Sequence, residues 1–183
     1  MAVTPQRELV PVERPGLVLR AFRPEDEALL TAALADVEIA RWNPGPDGPE
    51  PARAFMEERN DWGEGGHASW AVADPVEGLV GSVSVFRIDA AQADAEVGFW
   101  IAPWARGRGY AARAVVTASG FAFGTVGLHR LYLHHAVENP ASCGVARAAG
   151  FPWEGTLRES YRYPDGAYHD EHLHGRLRTD DVP

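Results

Sequence analysis

The residues Arg106-Gly107-Arg108-Gly109-Tyr110-Ala111 follow an apolar run, Val97 to Ile101, and precede an alanine-rich stretch ending near Phe123. This order predicts a strand, a loop and a helix. Glycines at 107 and 109 let the backbone turn tightly and approach a ligand, and a helix beginning near Tyr110 aims its unpaired N–H groups into the same space. Such a loop is an anion cradle. With Arg106, Arg108 and Arg113 nearby, pyrophosphate is the expected anion, because helix N-termini and charge-assisted guanidinium contacts both favour it. A second chemistry-bearing cluster is Asn139-Pro140-Ala141-Ser142. Asn is a strong N-cap and Pro fits the first helical position, so a helix is expected from Pro140 to Ala149, stopping at Gly150, with Ser142 in its first turn.

Three motifs compete for the glycine loop. The P-loop needs Gly-Lys-Ser/Thr, and the chain has no lysine; all 17 Lys+Arg residues are arginine. The dinucleotide fingerprint G-x-G-x-x-A fits Gly107, Gly109 and Ala112. However, Pro103 to Arg106 separate the glycines from the strand, and no acid closes the next strand about twenty residues on. The pattern R/Q-x-x-G-x-G/A fits Arg106 to Ala111 without strain.

The surrounding elements read as follows. Leu17 to Phe22 is a strand; Arg23-Pro24-Glu25-Asp26 starts a helix whose apolar stripe is Leu29, Leu30, Ala33, Leu34 and Val37. Residues 42–49 are a loop by composition, and a second helix runs from Glu50 to about Trp62. Ser69 to Ala73 and Leu79 to Phe86 form a hairpin about residues 74–78. Glu96 opens the strand before the cradle, Leu128 to Leu133 opens the strand after its helix, and 153–163 and 167–177 make a closing hairpin. Strands before a single phosphate loop and helices after it indicate a mixed α/β sheet of about seven strands, mostly antiparallel, with about four helices.

At 183 residues, 45% of them hydrophobic, the chain suits a single domain over 16–179 behind a flexible arm, 1–15. A net charge of −9 argues against a nucleic-acid partner and mildly favours a cationic substrate. One cysteine, Cys143, allows no internal disulfide. Prolines and charges within the first fifteen residues argue against a signal peptide, and no apolar run is long enough to span a membrane, so a cytoplasmic protein is expected. His134 and His135 are adjacent on a strand and point to opposite faces. His172 and His174 share a face with Asp170, in what reads as a solvated terminal edge, and no metal is expected there.

The cradle and the order of elements from Leu17 onward resemble the GCN5-related N-acetyltransferase family. Many members carry N-x-x-A-x-x-x-Y-x-x-x-G-F; here Asn139, Ser142, Ala146, Gly150 and Phe151 hold that register, with Ser for Ala and Ala for Tyr. The Ser form, with Leu128-His129-Arg130 ahead and Asp165-Gly166 behind, is similar to the RimJ/RimL branch.

The resemblance implies acetyl-CoA as co-substrate, no metal, and direct attack of a primary amine in a ternary complex. Larger acyl groups such as succinyl, or a binding module without turnover, are the alternatives. Arg106, Gly107, Arg108, Gly109, Tyr110 and Ala111 would hold the pyrophosphate. Phe99, Trp100 and Ile101 would line the pantetheine arm, near Asn139 and Ser142. Ser142 would assist the departing sulfur in place of the absent Tyr, and Glu96 would be a base, although a strand-start carboxylate is ordinarily solvated. The acceptor, a small-molecule or peptide amine, would meet Trp42, Tyr161, Tyr163 and Tyr168. A homodimer is left open.

Overall fold

The computed structural model describes residues 12–14, 16–43, 51–63 and 65–181. Among them eight strands form one sheet: β1 (Val12–Arg14), β2 (Leu17–Arg20), β3 (His67–Asp74), β4 (Gly78–Asp89), β5 (Asp94–Ile101), β6 (Arg130–Ala136), β7 (Trp153–Arg162) and β8 (Tyr168–Leu177). Five α-helices accompany them: α1 (Glu27–Leu34), α2 (Val37–Trp42), α3 (Pro51–Asn60), α4 (Tyr110–Phe121) and α5 (Pro140–Ala148). The expected mixed, mostly antiparallel sheet is present. Its extra strand is β1, formed where a flexible arm was expected; residues 1–11 of that arm, and 44–49 of the loop after Trp42, lie outside the described residues.

The extra helix comes from a break in the first one. Asp36 accepts a hydrogen bond from the backbone N–H of Ile39 and caps a new helix, α2. Val37, expected on the buried stripe, is instead the first residue of α2 and 75% exposed. A buried bidentate ion pair, Arg20 to Asp26 at 2.6 and 2.8 Å, fixes the start of α1 against β2.

The sheet runs in the order β1-β2-β3-β4-β5-β6-β8-β7. Strands β3 and β4 are buried over most of their length. Alternate residues serve two cores: Trp70, Val72 and Val83 pack with Ala114, Val115 and Ala118 of α4, while Ala71, Leu79 and Trp100 pack with Leu30, Ile39 and Phe55 of the first three helices. The last hairpin folds back so that β8 lies inside the sheet, between β6 and β7. His174 on β8 is therefore fully buried, which corrects the expectation of a solvated edge.

The feature that matters most for function lies between β5 and β6, a parallel pair in a sheet whose other neighbours are antiparallel. Their pairing covers only Asp94↔Arg130, Ala95↔Leu131 and Glu96↔Tyr132. Beyond it, β5 stays with β4 as far as Ile101↔Gly81, and β6 stays with β8 as far as Ala136↔Glu171. The sheet divides there, leaving facing backbone edges unpaired with each other. No helix among the described residues is long and apolar enough to cross a membrane.

Candidate active site

The glycine loop adopts the conformation its residue types require. Gly107 and Gly109 both have φ of 75°, a region that a β-carbon disfavours. An added Cβ at either would meet no heavy atom within 4 Å, so the loop borders open space. Gly109 caps α4 without a side-chain hydrogen bond, in contrast to Asp36 at α2 and Asn139 at α5. The first turn of α4 thus keeps N–H groups to offer an anion.

The arginines divide. Arg106 lines the cavity beside the loop and is ion-paired to Asp36. That guanidinium is the chief reason the Asp36 carboxyl is held below its ordinary pKa. Arg108 is drawn away: it pairs with Glu77 at 2.8 Å and donates to the Tyr110 hydroxyl at 2.9 Å, which in turn donates to Asp74 at 2.6 Å. Arg113 stacks over the Tyr110 ring at 4.9 Å. Of the three, Arg106 alone lines the cavity; Glu77, on the turn between β3 and β4, pairs with the Arg108 side chain, and the Tyr110 ring lies beneath Arg113.

A cavity of about 550 Å³ begins at this loop, passes Phe99, Trp100 and Ile101, and reaches Asn139 and Ser142, so it gathers the expected CoA-side residues other than Arg108. The side-chain oxygen of Asn139 accepts from the backbone N–H of Ser142 at 3.3 Å, a capping bond that sets the first turn of α5. On the other side of Phe99 and Trp100 is a second cavity, about 490 Å³, lined by Glu96, His134, Tyr161, Tyr163 and Glu171. Trp42, Asn43, Phe99 and Trp100 are shared by both. Between them a space of about 60 Å³ is bounded by Gly98, His134, Asn139, Ser142 and Tyr163.

Glu96 is not the solvated carboxylate expected of a strand start. It is 7% exposed, with one oxygen 2.6 Å from the guanidinium of Arg87 and the other 3.2 Å from Nδ1 of His134. Arg87 reaches it from a bulge in β4, where the pairing jumps from Phe86↔Glu96 to Asp89↔Asp94 and Arg87 takes φ of 52°. On the far wall Glu171 accepts from the hydroxyls of Tyr163, at 2.9 Å, and Ser160, at 2.7 Å. Burial, and then the charge of Glu171, raise the Tyr163 pKa above the ordinary phenol value. The rings of Trp42 and Tyr163 meet edge to face, centroids 5.4 Å apart, and Tyr161 packs on Tyr163 at 5.0 Å.

Tyr168, expected with them, lines none of these cavities and is 64% exposed. Its parity on β8 sets it opposite to Glu171, on the other face of the sheet. Sequence reasoning missed His134, Arg87, Ser160 and Glu171. For His134 a signal existed: once β6 is taken as the parallel neighbour of β5, the residue two beyond Tyr132 lies beside Glu96.

A divided sheet, a glycine cradle at a helix N-terminus and a two-chambered cleft define an acyltransferase-type fold. A family model described as an acetyltransferase (GNAT) domain matches residues 16–152, and the chain belongs to that family. It is 35% identical over 101 residues to the spermidine N(1)-acetyltransferase of Vibrio cholerae, covering 55% of this chain and 58% of that protein. It is 29% identical over 112 residues to the ribosomal-protein-serine acetyltransferase of Escherichia coli, covering 61% and 62%. In both cases the matched stretch spans less than two thirds of the curated relative's length. Among solved structures, V. cholerae spermidine N-acetyltransferase in complex with CoA and spermine superposes with a TM-score of 0.76 at 27% identity, over 91% of this chain and 98% of that one. A GNAT-family acetyltransferase from Bacillus anthracis superposes at 0.80 with 22% identity, covering 93% and 100%, a likeness of fold.

Proposed function

We propose that this protein is an acyl-CoA-dependent N-acetyltransferase that takes a cationic primary amine, a polyamine or a peptide N-terminus, by direct attack in a ternary complex. The observation that carries this reading is the division between β5 and β6, with an anion cradle at one end and an acidic, aromatic chamber beside it. The relatives named above, which act on spermidine or a ribosomal protein according to their names, support the class of acceptor.

CoA fits the first cavity on its own terms. Uncapped N–H groups of α4, Arg106 and the open space beside Gly107 and Gly109 suit a pyrophosphate. The unpaired edge of β5 suits an extended arm carrying amide groups, which it would bind as an added strand. Bound there, acetyl-CoA supplies an activated acyl thioester.

The chain's own groups then divide the work. The walls of the second chamber, Trp42, Tyr161 and Tyr163, hold the ammonium form of the acceptor near Glu96 and Glu171. Glu96, directly or through a water, takes the proton that frees the nitrogen lone pair. Backbone N–H groups of Val97–Ile101 polarise the thioester carbonyl. As the new C–N bond forms and the C–S bond breaks, the second proton of the acylated nitrogen passes to the departing sulfur, to which the Ser142 hydroxyl donates a hydrogen bond, aided by the positive end of α5.

The deciding experiment mixes the full chain with acetyl-CoA and a panel of spermidine, aminoglycosides and N-terminal peptides, and follows free CoA thiol. Amine-dependent release is expected. CoA binding without release from any amine would make the protein a non-catalytic acyl-CoA-binding module.

A further inference from the structure

On the face of the sheet away from the acidic chamber, β6, β8 and α5 bring together three histidines and the chain's single cysteine. His135 lies directly opposite His172 in the β6–β8 ladder, and His174 is two residues on, so the three imidazoles share one face. Cys143, in the first turns of α5, completes the group. One potential ligand atom from each of His135, Cys143, His172 and His174 lies within 4.8 Å of all the others.

The hydrogen bonds fix which nitrogens carry protons. His135 Nδ1 contacts the carbonyl of Ala136 at 2.8 Å, and His174 Nδ1 contacts the carbonyl of Phe151 at 3.0 Å. A carbonyl only accepts, so each Nδ1 is the donor. In a neutral imidazole the other nitrogen then bears a lone pair, and the two Nε2 atoms face each other 3.3 Å apart. Two facing lone pairs repel unless a cation or a proton lies between them.

A bound cation has the opposite sign of effect. A tetrahedral zinc with bonds of about 2.0–2.1 Å to imidazole sets its nitrogens roughly 3.3–3.4 Å apart. Nδ1–H to a backbone carbonyl is also the outer bond that metal-bound histidines ordinarily make. His172 supplies a third candidate donor, since its Nδ1 is shielded from solvent with no hydrogen-bond partner.

We propose that His135, His172, His174 and Cys143 bind one Zn²⁺, a site of three imidazoles and one thiolate. A borderline-soft ion suits this donor set, and four protein ligands leave no position for a substrate, so the site is structural. It binds α5 to two strands. Because Cys143 follows Ser142, the ion anchors one side of the helical turn whose other side borders the CoA-side cavity.

The test uses the full-length, untagged chain and does not depend on turnover. After chelation and dialysis, cobalt(II) titration should saturate at one equivalent. It should give the intense visible bands of tetrahedral cobalt together with a thiolate-to-cobalt charge-transfer band. Cys143→Ser should abolish the charge-transfer band, and His172→Gln, at a half-buried ligand whose loss the fold tolerates better than that of His174, should weaken cobalt binding at least tenfold. Ser142→Ala should leave the spectrum unchanged. Zinc added back should raise Tm until one equivalent is bound. Absence of a tetrahedral cobalt spectrum in the native chain, or the same spectrum in Cys143→Ser and His172→Gln as in the native chain, would overturn the site.

Discussion

Oε1 of Glu96 and Nδ1 of His134 lie 3.2 Å apart, across β5 and β6 at the point where those strands stop pairing. The contact places a carboxylate and an imidazole on the wall of the second cavity, with Arg87 holding the second carboxylate oxygen at 2.6 Å. If Glu96 receives the amine's proton, Glu96→Gln should lower kcat by about a hundred- to ten-thousand-fold while acetyl-CoA affinity stays constant. Steady-state kinetics paired with calorimetry measures both. Full turnover in the folded variant would leave Glu96 a structural partner of Arg87.

Ser142 borders both the large CoA-side cavity and the small space beside His134. Ser142→Ala should reduce kcat by about ten- to a thousand-fold, a loss of roughly 1.4–4 kcal/mol in the transition state, with little change in acyl-CoA affinity. The Asn139 cap binds the backbone N–H of residue 142 rather than its hydroxyl, so the helix should survive the change. An unaltered kcat would reduce Ser142 to a helix residue.

At Gly109, φ of 75° and the empty space beyond the α-carbon make a separable test. Gly109→Val introduces backbone strain of about 1–2 kcal/mol and pushes a branched side chain into the cradle. The variant should fold, with a lowered Tm, and lose CoA affinity by at least tenfold in calorimetry. Unchanged affinity would move the pyrophosphate site elsewhere.

The glycine loop was readable in the sequence because left-handed backbone selects glycine and a helix start follows it, both local facts. The Asn139 cap was readable for the same reason. The Glu96–His134 contact was not, since it depends on two strands far apart in sequence being parallel neighbours. Arg108 and Tyr168 lie outside the cavity linings for related reasons: Glu77, on the β3–β4 turn, pairs with the side chain of the one, and a single step of strand parity turns the other to the opposite face. The break at Asp36 was hidden because the apolar spacing of α1 continues through it to Val37, although the capping Asp was present.

Asp36 links α2 to the cradle through Arg106, and that hydrogen bond is the main cause of its lowered pKa. A carboxyl depressed in the folded state contributes stability that is fully present above its unfolded value, near about 4, and is lost as pH falls through the folded value. Asp36→Asn keeps a good N-cap and removes the charge. Its Tm should lie below that of the native chain at neutral pH, and the difference should shrink as the pH falls below the ordinary carboxylate value of about 4. A difference that does not depend on pH would show that the ion pair contributes nothing.

The acidic chamber carries a prediction about salt. Screening of exposed charges sets in over roughly 10 Å at 0.1 M salt, so KM for a cationic acceptor should rise with ionic strength. Trp42→Ala should raise it further, since the ring supports Tyr163 from 5.4 Å. A KM for the amine indifferent to salt would make the net charge of −9 a property of the surface alone.

A simple sheet has two edges; this one has four, because the divergence after Glu96 and Tyr132 creates a facing pair in its interior. Alternate amides of Val97–Ile101 therefore lack a strand partner although they belong to a half-buried strand in the interior of the sheet. In deuterium exchange these amides should behave as a fast stripe inside a slow core, since protection follows hydrogen bonding and local opening rather than depth alone. Occupancy by an extended arm would slow that stripe while leaving β3 and β4 as they were, turning the division of the sheet into its own reporter of ligand.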